Sequence, residues 1–233
     1  MEPYSILPLN ESAVVVSFGN VIDSSINQKV ISLHQSLQHR SFRGFVESVP
    51  AYSSVAVFYN TIEVMSSKGF KSAFGFVKEF LEDVLVQLPQ VEKANEHQAV
   101  EIPVLYTGED LVFVAEFHQL TPDEVIAIHV SKTYRVFMIG FLPGFPYLGT
   151  VDEKIATPRK SSPRTSVPAG SVGIAGFQTG IYPQSSPGGW QLIGKTPNKI
   201  FEKQKAMPCL FKPGDRVQFY AIDQNEFEKR NEY

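Results

Sequence analysis

The apolar positions of this chain switch repeatedly between strand and helix spacing. Ser12–Phe18 (SAVVVSF) is a β-branched run and predicts a strand. Ile26, Val30, Leu33 and Leu37 then recur at helical spacing, behind Asp23 as a candidate N-cap. Phe45–Val49 and Ser54–Tyr59 predict a strand pair turning at 50–53. A second helix is expected over Lys68–Leu88, with an apolar stripe of Phe70, Phe74, Val77, Leu81, Val84 and Leu88, ended by Pro89. Val100–Tyr106 predicts another strand. The order β-α-β-β-α-β is that of the ferredoxin-like split βαβ unit. The polar run Gln90–Gln98 marks a boundary, and the domains are set at 1–92 and 93–233.

The rest of the chain reads differently. Asp110–Gln119 is helical in pattern, and Thr121, Pro122 and Glu124 form a capping box with proline at the first helical position. Tyr134–Ile139 and Arg216–Ile222 predict strands. Between them lie short apolar runs separated by Gly/Pro turns, the pattern of a β-barrel or sandwich. The fold class expected is therefore α+β: a small ferredoxin-like N-terminal domain followed by a β-barrel.

Gly140–Pro197 holds 10 of the 16 glycines and 8 of the 16 prolines. It is also rich in Phe, Tyr, Ile and Val and carries the single Trp190, so it is no flexible linker. Shaped loops on a rigid scaffold are where function concentrates. The whole chain has a formal charge of −3. This segment, however, has five basic residues, Lys154, Arg159, Lys160, Arg164 and Lys195, against Asp152 and Glu153. An anionic ligand suits it, whereas the overall charge gives no attraction to nucleic acid or membrane. The N-terminus lacks a signal-peptide pattern and no apolar run is long enough to span a bilayer, so the cytoplasm is expected.

The lone Cys209 excludes an internal disulfide, and the five histidines show no metal-ligand spacing, so no metal is expected. His118 and His129 sit on the helices ahead of the Gly/Pro segment, where a lone histidine is more often structural. His129 lies near its helix C-terminus, where a cation is favoured. Gly189–Thr196 (GWQLIGKT) matches GxxxxGK(S/T), yet Trp, Gln, Leu and Ile read as strand and no amphipathic helix follows. A strand ended by a turn is the better reading than a phosphate-binding loop. Arg159 and Arg164 are the candidate fork donors, in a stretch almost free of acids. Gln178 and Thr179 lie between Gly176 and Gly180, where backbone can approach a ligand. Tyr182 and Trp190 flank the turn carrying Gly188 and Gly189.

Four strings carry a resemblance: IGFLPGFPYLG at Ile139–Gly149, PRTSVPAGS at Pro163–Ser171, QTGIYP at Gln178–Pro183 and SPGGW at Ser186–Trp190. The chain resembles the family of the 5-oxoprolinase B subunit, also known as allophanate hydrolase subunit 1 or the Kip sporulation-kinase-inhibitor family. The resemblance implies a cyclophilin-like barrel behind the α+β domain. It implies one component of a complex with the homologous C-type subunit, completed by an A-type subunit, that opens 5-oxoproline to glutamate with ATP cleavage. It leaves open a regulator of a sensor histidine kinase, or a carboxyltransferase-like subunit that acts on urea or allophanate. On this reading Arg159, Arg164 and Gln178 are the catalytic candidates. His129, Thr179, Tyr182, Gly188, Gly189 and Trp190 are the substrate or nucleotide contacts. The chain departs from the family pattern at Tyr106–Leu111, which argues against a ligand role for Glu109 or Asp110.

Overall fold

A computed structural model describes residues 4–66, 71–88 and 98–231. The chain divides into two compact units, Met1–Glu96 and His97–Tyr233. The expected boundary at 92/93 lies outside the described residues.

In the first unit the elements run β1 (Ser5–Asn10), β2 (Ala13–Ser17), α1 (Ser24–His39), β3 (Phe45–Pro50), β4 (Ser54–Tyr59), α2 (Thr61–Met65) and α3 (Ala73–Val86). Asp23 caps α1 by accepting from the Ser25 and Ile26 amides. Ser72 caps α3. Residues 68–70 of the expected second helix, and the proline at 89 expected to end it, lie outside the described residues. The sheet order is β1-β2-β4-β3, with every pair antiparallel. Val14, Val16, Val55 and Val57 share one core with Leu33, Leu37, Val77 and Leu81 of the helices.

This is the ferredoxin-like sheet with one substitution of parts. The place beside β2 that a sixth element would fill is taken by β1, from the N-terminus. The expected sixth element, Val100–Tyr106, pairs in the other unit instead. No alternation betrays β1, because Ile6 is its only buried residue. Pro8 is tolerated there because β1 is an edge strand.

The second unit contains β5 (Val100–Val104), α4 (Leu111–Phe117), α5 (Pro122–Val130), β6 (Thr133–Ile139), β7 (Pro146–Gly149), a 3-10 turn at Glu153–Ile155, β8 (Arg164–Val167), β9 (Ser171–Ala175) and β10 (Gln178–Ile181). It continues with β11 (Ser186–Gly188), β12 (Gln191–Lys195), β13 (Arg216–Ala221) and α6 (Gln224–Asn231). The expected capping box at Thr121 and Glu124 is formed on α5. Seven strands make one sheet in the order β12-β9-β10-β7-β6-β13-β5. Its two ends meet. Leu105 and Lys195 exchange N–H···O bonds of 2.9 Å each way, and the Gly108 and Asp110 amides donate to Ile193 and Leu192. Gly108 and Gly194 make this seam possible, since a Cβ on either would strike the facing backbone. The result is the expected barrel, filled by residues such as Ile102, Tyr134, Val136, Ile174, Ile181 and Phe219. β8 and β11 form a separate two-stranded ribbon. No helix among the described residues is long and apolar enough to cross a membrane.

Candidate functional site

The Gly/Pro segment folds around Trp190. Period-2 alternation along β10 sends Thr179 and Ile181 into the barrel and leaves Gln178, Gly180 and Tyr182 on the outer side. There Phe145 packs edge-on against both Tyr182 (5.2 Å between ring centres) and Trp190 (5.3 Å), and Val167 of β8 completes a small second core. Gly180 lies so close to Trp190 and Phe145 that no side chain fits. Gly188 sits against the Tyr182 hydroxyl in the same way. The 158–164 loop joins here as well: the Lys160 amide donates to Gly189 O, and the Gln191 side chain donates to Pro158 O. Tyr182 and Trp190 are thus buried anchors that hold three turns together. Gly188→Ala is expected to destabilise the chain by about 1–3 kcal/mol through overpacking against Tyr182, whereas Gly189→Ala, with no neighbour closer than 3.7 Å, should be near neutral. Thermal denaturation of the two variants measures the difference.

Arg159 lies on the outer surface with its guanidinium 5.8 Å from the Trp190 ring centre. It enters no ion pair among the described residues. Arg164 behaves differently. One of its terminal nitrogens donates to both Asp110 oxygens at 2.7 Å, its Nε to Glu109 at 3.2 Å and its other nitrogen to Trp190 O. Lys160 Nζ and the Leu192 amide also donate to Asp110, which is buried. Burial pushes the Asp110 carboxyl up. The donors from Arg164, Leu192 and Lys160, with the Arg164 charge, outweigh it and hold the group below its usual range. The acid-poor face expected around both arginines is therefore corrected: Asp110 and Glu109, far off in sequence at the barrel seam, neutralise Arg164 and tie β8 to the barrel.

His129 and Thr179, expected among the ligand contacts, lie inside the barrel, both fully buried. The Thr179 hydroxyl donates to Gly173 O, so it must accept from His129 Nε2–H at 3.0 Å. His129 Nδ1 then accepts from the Tyr106 hydroxyl at 2.7 Å. The imidazole is neutral with its tautomer fixed, and burial lowers its pKa to about 3. These groups form a satisfied polar chain in an apolar core. Gln178 begins β10 opposite Gly149 and Ala175, half-buried, at the far end of the strand from Trp190's neighbour Gly180.

A cavity of about 310 Å³ opens beside this face, between α4 and the 157–162 loop. Phe113 and Phe117, at i and i+4 on α4, line it while 47% and 53% exposed. Arg159 and Lys160 line it as well, and Gln191, 3% exposed, lies in the lining too. Gln191 Oε1 is buried with no hydrogen-bond partner. An amide oxygen enclosed without a donor costs about 1–3 kcal/mol. The aromatic pair left a trace in the sequence: Leu111–Phe117 (LVFVAEF) is apolar on nearly every side, too much for a helix with one buried face. Gln191 left none, since its lack of a partner depends on packing.

Gly189–Thr196 is a strand, as its composition implied. β12 occupies it, Gly194 is pressed against Leu105, and no helix follows before α6. It cannot cradle phosphates. If the ATP-cleaving complex implied by the resemblance is what this chain serves, Lys195→Ala is expected to leave its turnover within about tenfold, ~1.4 kcal/mol in barrier height. A thousandfold loss with folding intact would restore the phosphate-loop reading.

The family model for the carboxyltransferase domain, subdomains C and D, matches residues 4–211. The 5-oxoprolinase B subunit of Bacillus subtilis (strain 168) is 46% identical over 98% of this chain and 97% of its own length. The chain belongs to the 5-oxoprolinase B-subunit family. The protein of the same name from Haemophilus influenzae is 43% identical over 92% of this chain and 96% of its own. Among solved structures, TTHA0988 is 36% identical with a TM-score of 0.79, over 91% of this chain. This chain spans only 40% of that one. The α+β unit and the cyclophilin-like barrel thus hold for the family as well as for this chain.

Proposed function

We propose that the chain is one subunit of an ATP-dependent 5-oxoprolinase that opens 5-oxoproline to L-glutamate, and that it acts only when joined to its C-type and A-type partner subunits. The observation that carries this reading is the end-to-end match to proteins named as the B subunit of that enzyme. The site agrees with a partial role. Arg159 offers an exposed cation over Trp190, suited to an anion. Two groups that could move protons are spent elsewhere: His129 is locked neutral in the core and Asp110 is saturated by donors. ATP belongs to the reaction of the whole complex, and Gly189–Thr196, being strand, is given no part in holding it.

The test is reconstitution with the A-type and C-type subunits from the same genome, following ADP release that depends on 5-oxoproline. Turnover by the full set and none by this chain alone is expected. Turnover by this chain alone would overturn the shared-site reading, and none by the full set would overturn the substrate. Arg159→Ala should lose turnover while the complex still assembles on gel filtration; lost assembly with normal activity per remaining complex would make the face an interface instead.

A further inference from the structure

The cavity between α4 and the 157–162 loop combines three chemistries that one small ligand can satisfy together. Arg159 lines it and is unpaired among the described residues. Beside it is Lys160, whose ammonium is shared with Asp110 at 3.1 Å. Phe113 and Phe117 line it too, exposed and 6.0 Å apart between ring centres. In the lining, Gln191 commits its nitrogen to Pro158 O and keeps an oxygen that nothing donates to. Two cations, a pair of exposed phenyl rings tilted 40° to one another and a lone acceptor suit an anion carried on a small ring with an N–H of its own. A cavity of about 310 Å³ lies at the small end of ligand pockets, which favours a single ring over a nucleotide.

We infer that this cavity binds a small carboxylated lactam, with its carboxylate at Arg159 and Lys160, its ring against Phe113 and Phe117, and its N–H donating to Gln191 Oε1. The inference rests on the lactam-opening reading and gives the substrate a place on this chain. Because Oε1 is enclosed, the ligand reaches it by a small outward shift of the loop. In this structure the Lys160 amide bond to Gly189 O and the Gln191 bond to Pro158 O tie that loop to the barrel, and the shift has to loosen them.

The test uses the full-length chain, isotope-labelled, titrated with 5-oxoprolinate and followed by amide chemical shifts. Shifts are expected at Phe113, Phe117, Lys160 and the Gln191 side-chain amide. N-methyl-5-oxoprolinate, which has no N–H, and 5-oxoproline amide, which has no carboxylate, should each bind at least about tenfold more weakly. Arg159→Ala should weaken the acid by a similar factor and leave the amide unchanged. Equal binding of the N-methyl compound, shifts elsewhere on the chain, shifts with ATP but not with the lactam, or no shift up to about 10 mM would each overturn the assignment. Turnover of the reconstituted complex is measured separately. Binding with these preferences in a complex that does not turn over would sink the enzyme reading and keep the site. Turnover without such binding would sink the site and keep the enzyme.

Discussion

Acidification from pH 6.5 to pH 5 is expected to remove about 2 kcal/mol from the stability of the chain through His129 alone. The group has an ordinary pKa near 6.5 when unfolded and one of about 3 when folded, because burial disfavours its charged form. Below pH 6.5 the unfolded state therefore binds more protons than the folded one. The stabilisation is complete above 6.5 and drains away as pH falls toward 3. The groups around the ring do not offset this. Tyr106 and Tyr134 are pushed upward by burial and stay neutral in acid, while Phe219 and Thr179 do not titrate. His129→Gln supplies the comparison. A glutamine can accept from Tyr106 and donate to Thr179 but does not charge. Denaturant titrations at pH 7 and pH 5 should show a steeper acid loss for the parent chain than for His129→Gln. Parallel losses would mean that the ring is not held neutral in the folded state.

The second large effect is expected at Asp110. Asp110→Ala removes the carboxylate that holds Arg164, Lys160 and the Leu192 amide at once. It leaves the largely buried Arg164 guanidinium without its main partner, and a loss of about 3–5 kcal/mol follows. For a chain of this size that is on the order of 10 °C in Tm. Glu109→Ala should cost under about 1 kcal/mol, because the Glu109 side chain is 70% exposed. The double variant Asp110→Ala/Arg164→Ala should be less destabilised than the sum of the singles by about 1–3 kcal/mol. Strict additivity would show that the ion pair does not act as a unit.

The contrast between these residues explains what the sequence could reveal. The strands Ala13–Ser17 and Ser54–Tyr59 announced themselves through their apolar runs, β-branched in the first and paired across a turn in the second. α1 and α5 announced themselves through caps at Asp23 and Thr121. β1 was silent because an exposed edge strand with a proline has no pattern to show. Val100–Val104 read correctly as a strand, but which sheet it joined depended on a partner more than a hundred residues away. The aromatic–glycine surface around Trp190 was legible as a place, because Gly and Pro leave a local signature. Its electrostatics were not. The carboxylate that neutralises Arg164 arrives from the barrel seam, and the buried setting that turns His129 from a candidate contact into a core group is made by Tyr106, Thr179 and Phe219.

The pairing of β5 with β13 also sets a timetable for biosynthesis. β5 opens the second unit and β13 is its last strand, and they lie side by side in parallel, Val100 opposite Val217. A ribosome therefore delivers one stave of the barrel early and its neighbour only after the remaining staves have emerged. The first unit has all of its sheet by Tyr59 and its last described helix by Val86, so it can fold while translation continues. The barrel has to wait. Until residues 216–221 leave the exit tunnel, β5 and β6 each present an unpaired edge, and nascent chains stalled in that interval should be the species that chaperones hold and proteases cut.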